Sequence, residues 1–68
     1  MIKDLRYVED YLDKHFEGSA EIRDKVYRKY QEACSFHAQE ERSPVRLLEK
    51  ALRDTVRYME SLKNEVRN

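Results

Sequence analysis

Cys34, His37 and Glu41 follow one another at steps of three and four residues, which puts a thiol, an imidazole and a carboxylate on one side of a helix. Zinc takes such donors, but a structural zinc site wants four ligands. The only other histidine, His15, belongs to an earlier segment and ends up far from His37 if the two segments run antiparallel. A cysteine nucleophile would need the histidine as its base, a third group to orient it, and oxyanion donors around a cleft. A chain with a single glycine has little loop from which to build these. Asp10 with Asp13, and Glu40 with Glu41, pair carboxylates on polar faces, without the burial that acid–base work requires. The expectation is no metal, no cofactor and no enzyme activity, with Cys34 serving as a small hydrophobe at a helix contact.

A second constellation is cationic. Arg46, Lys50, Arg53 and Arg57 step by four, three and four along the side of a helix opposite its apolar seam. Such a stripe can meet phosphates or an acidic protein surface, but it is also the ordinary solvated face of an amphipathic helix, with Glu49 and Asp54 beside it to pair with Lys50, Arg53 or Arg57. Fourteen Lys and Arg balance fourteen Asp and Glu, whereas dedicated polyanion binders carry a basic excess. A helix-turn-helix reader needs a short recognition helix after a tight turn, and both candidate second helices here are long. Nucleic-acid contact through Arg46, Lys50, Arg53 and Arg57 is therefore the alternative and not the first reading.

The elements that position these groups are legible in the apolar spacing. Ser43 is a good N-cap and Pro44 suits the first helical position. Val45, Leu48, Leu52, Thr55, Met59, Leu62 and Val66 then form one seam on a helix over residues 44–66. Ile2, Leu5, Val8, Leu12 and Phe16 predict a helix over 2–17. Gly18 sits where a left-handed residue ends a helix, and Ser19 caps the next. Residues 20–41 form the second helix, with Ile22, Val26, Tyr30, Ala33 and His37 along its stripe; the stripe weakens after Cys34, so this end is expected to fray or bend.

Short connections make neighbouring helices antiparallel. The fold class is thus all-α, a three-helix up-down-up bundle in one small domain over 1–68. Leu, Ile, Val and Phe make up 15 of 68 residues, a thin core for a chain of this size. No apolar run exceeds two residues, so neither a membrane span nor a signal peptide can be drawn. One cysteine cannot form an internal disulfide, and a cytoplasmic location is expected.

The first helix is shorter than the other two and cannot cover them along their whole length. Part of the third helix's seam, around Met59, Leu62 and Val66 or at its other end, is expected to lack a partner, which dimerisation would supply. Tyr7, Tyr11 and Tyr58 flank the stripes, as tyrosine does where one face is apolar and the other wet. The charge is uneven too: residues 2–17 carry net −2 and residues 43–68 net +2. An echo, Val45-Arg-Leu-Leu-Glu49 against Val56-Arg-Tyr-Met-Glu60, is offset by eleven residues. Eleven residues are close to three helical turns, so both copies present similar faces.

The functional expectation is a small non-catalytic, regulatory protein–protein interaction module acting through helix packing and associating as a homodimer. Its contact residues are Tyr7, Tyr11, Tyr58, Met59 and Leu62, with Arg53 and Arg57 as the rim. A structural accessory subunit of a larger complex is the remaining alternative.

Overall fold

The computed structural model describes residues 4–67, the side chains of 66 and 67 excepted. Three helices follow in order: α1 (Leu5–Phe16), α2 (Ala20–Ala38) and α3 (Pro44–Arg67). They form an all-α, up-down-up bundle in which α2 and α3 pack along each other and α1 lies against both. At about 1.5 Å per residue the helices are roughly 18, 29 and 36 Å long, and the longest dimension of the molecule, 37 Å, is the length of α3.

Local chemistry sets the breaks. Asp4 caps α1, its side chain accepting from the Tyr7 amide. The cap shortens the helix from the expected start at 2. Ile2 and the side chain of Val66 lie outside the described residues. At the other end the left-handed turn begins one residue earlier than glycine alone predicts: Glu17 has φ 53° and Gly18 φ 69°. The amides of both reach back to the Leu12 carbonyl, and Ser19 accepts from the Ile22 amide to start α2.

α2 stops at Ala38 and not at 41. The Glu40 and Glu41 amides bond the His37 carbonyl in a closing turn. The Glu41 carboxylate is drawn across to Lys50 on α3, 3.1 Å away. Ser43 then caps α3 as expected, accepting from the Arg46 amide at 3.4 Å.

The core joins Val8, Leu12 and Phe16 of α1, Val26 of α2, and Leu52, Val56 and Met59 of α3. Ala51 and Val56 are buried outside the expected seam of α3, because α3 is covered on two flanks, by α2 and by α1. Thr55 is buried with its hydroxyl donating to the Ala51 carbonyl at 2.8 Å, so no unpaired polar atom is left in the core there.

Candidate interaction surface

The groups that could do chemistry are each committed to a different neighbour. His37 Nε2 lies 2.7 Å from Asp54 Oδ2, and Glu41 is held by Lys50, which keeps its carboxyl below the usual carboxylate range. Burial, and then the neighbouring Cys34, push the Tyr30 hydroxyl up. His15 lies against Tyr11, the rings tilted by 50° with their centres 4.4 Å apart. Among the described residues no group of three or more His, Cys, Asp and Glu is placed to hold a metal ion.

The His37–Asp54 and Glu41–Lys50 contacts share one antiparallel register: moving four residues on from His37 in α2 to Glu41, just past its end, matches moving four back along α3 from Asp54 to Lys50. By that register Lys29 stands level with Leu62 and Ala33 with Tyr58. Asp54, expected to neutralise the arginine stripe, is spent on His37 instead.

Sequence spacing did not indicate the clasp between α1 and α2. Glu9 accepts from both Arg23 and Tyr27, and the Arg23 guanidinium lies 5.3 Å from the Tyr27 ring centre. The Tyr27 hydrogen bond, and then Arg23, lower the Glu9 pKa. Burial, and then the Glu9 carboxylate, push Tyr27 up to about 12. Reflecting the chain about Gly18 places 9 opposite 27, so the turn position was the available signal.

The expected contact residues do not form one surface. Met59 is 0% exposed and belongs to the monomer's own core, so it has nothing to offer a partner. Tyr7 and Tyr11 pair on α1, their ring centres 6.2 Å apart, and burial, and then the charge of Glu60, push the Tyr11 hydroxyl up. Tyr58 and Leu62, half-buried against the core, instead line a cleft with Lys25, Lys29 and Glu32 of α2. Positions 58 and 60 point about 200° apart on a helix, so the tyrosines occupy opposite flanks of α3. Arg53 and Arg57 are exposed, as is Arg46. None of the three has an ion pair among the described residues, whereas Lys50 is tied to Glu41.

The uncovered seam lies at the lower, N-terminal end of α3. The eleven-residue echo works as an internal control. Val56 and Met59 are 4% and 0% exposed, whereas their equivalents Val45 and Leu48, on the same face one level down, are 63% and 46% exposed. α1 leaves the upper end of α2 and is about 18 Å long, so it seals the upper level and stops short of the lower.

Phe36, at 68%, is the other large exposed apolar group of the hairpin. It lies in a second cleft between α2 and α3 with Lys29, Glu32, Ala33 and Asp54. The two clefts, of about 520 and 430 Å3, share Lys29 and Glu32. No described helix is long and apolar enough to cross a membrane. No family model, curated protein or solved structure matches the chain, so what it does must be read from its own geometry.

Proposed function

We propose that the protein is a non-catalytic interaction module that packs its helices against another polypeptide at the open lower level of α3, and that it also self-associates through a different face. The observation that carries the reading is the contrast within the echo, where the same face is sealed around Val56 and Met59 and open around Val45 and Leu48. A partner helix laid over Val45 and Leu48 covers both side chains. Sealing them contributes on the order of 2 kcal/mol, more than exposed rim pairs at Arg46 or Arg53 would add. A reducing, cytoplasmic setting suits the single thiol of Cys34.

Affinity capture from the native host, comparing the parent with Leu48→Asp, tests this. The expected result is a protein retained by the parent and lost with the variant, while circular dichroism shows the variant still helical. Identical captured sets would overturn the open level as the binding face.

Arg46, Arg53 and Arg57, exposed and without ion pairs among the described residues, support a second reading, contact with nucleic-acid phosphates. Titration with a DNA oligonucleotide decides it: phosphate binding weakens steeply with salt, and absence of binding at low salt removes this reading.

A further inference from the structure

α2 presents Lys25, Arg28, Lys29, Glu32, Ala33 and Phe36 to the outer clefts, and Lys25, Lys29, Glu32 and Phe36 form one line among them. The spacing of that line is four, three, four, which reads the same from either end. A second α2 laid antiparallel on this line therefore falls into register without adjustment. Lys29 then meets the partner's Glu32, Lys25 the partner's Phe36, and Arg28 the partner's Ala33. Two-fold symmetry repeats each contact.

Resting on the self-association in the reading above, we infer that the α2–α3 outer cleft is the seat of a second copy of this chain, the two α2 helices crossing antiparallel about a two-fold axis between Lys29 and Glu32.

The charges are available for it. Neither Lys29 nor Glu32 has an ion pair among the described residues, and Lys25 has only a 3.9 Å contact with the exposed Glu21. The two crossed Lys29–Glu32 pairs are complementary, whereas parallel alignment would set Lys29 against Lys29 and Glu32 against Glu32. Phe36, otherwise exposed, receives the stem and ammonium of the partner's Lys25 on its ring. The α2–α3 register places Leu62 and Tyr58 beside the centre of the line, where they give an apolar wall to the lysine stems. The lower level around Val45 and Leu48 lies on the other side of the α2–α3 layer, so a dimer formed this way keeps both copies of that level open.

Sedimentation equilibrium of the full chain, from micromolar to about millimolar, tests the geometry with charge reversals whose folding is checked by circular dichroism. The parent is expected to run above 8.3 kDa. Lys29→Glu and Glu32→Lys should each weaken association by about tenfold, since two like-charge contacts replace two attractive ones. Combining both substitutions in one chain restores it, because the pairs are re-formed with signs exchanged. Mixing the two single variants also restores it, as a heterodimer.

A parent that associates while the single variants do so equally well, or a double variant that fails to recover, overturns this arrangement and leaves self-association standing. A parent that remains at 8.3 kDa throughout overturns both, with the Leu48-dependent capture unaffected.

Discussion

Glu9 is the residue on which the α1–α2 contact turns, because its one carboxylate accepts from both Tyr27 and Arg23. Its folded pKa lies below the ordinary value of 4.5, so the clasp stabilises the fold above that pH. The contribution is lost as the pH falls through the lower folded value. Glu9→Gln removes it at every pH. Thermal melting should therefore show parent and variant furthest apart near neutrality and converging as the pH falls below the ordinary carboxylate value of 4.5 and through the lowered folded one.

Tyr27 has the opposite sign, its folded pKa being raised to about 12. Its share is present below 10 and lost as the pH climbs through 12. Ultraviolet titration should show one tyrosine ionising last, and Tyr27→Phe should delete that step. The clasp was not visible in the spacing of residues 9, 23 and 27, because hydrogen bonds between helices depend on how one helix is set against the next.

At the scale of elements, the turn between α1 and α2 combines a legible feature with a hidden one. Gly18 was readable as a helix terminator, and it does hold φ 69°, but Glu17 before it is also left-handed at φ 53°. A Cβ on residue 18 would meet only Asp13 Oδ1, at 3.8 Å, which is an ordinary contact. Gly18→Ala should thus act through the backbone alone, destabilising by about 1 kcal/mol in urea unfolding.

The start of α3 was legible for the same kind of reason, since Ser43 and Pro44 act on amides within one turn of themselves. The end of α2 was not. The run 39–41 has no breaker, and only Lys50, nine residues further on, draws the Glu41 side chain across to α3.

For the whole molecule, the unequal helices decide which apolar residues form the core and which remain as surface. Met59 and Leu48 occupy equivalent places in the echo, yet Met59 is wholly buried and Leu48 is not. Met59→Ala should cost about 2–5 kcal/mol, a large share of the total for a chain of 68 residues whose stability is of order 3–10 kcal/mol. Leu48→Ala should stay within about 0.5 kcal/mol. Urea unfolding of the two variants checks the contrast, and similar losses at both positions would mean the lower level is already covered.

The helix count, the turn at Gly18, the Ser19 and Ser43 caps and the middle of the α3 seam could be determined from the amino-acid order, because each depends on neighbours three or four positions away. The tertiary structure alone decided that α1 seals Val56 and Met59 but not Val45 and Leu48, that Asp54 goes to His37, and that the tyrosines part to opposite flanks. Those outcomes depend on the length of one helix and its register against another, and no residue carries that information alone.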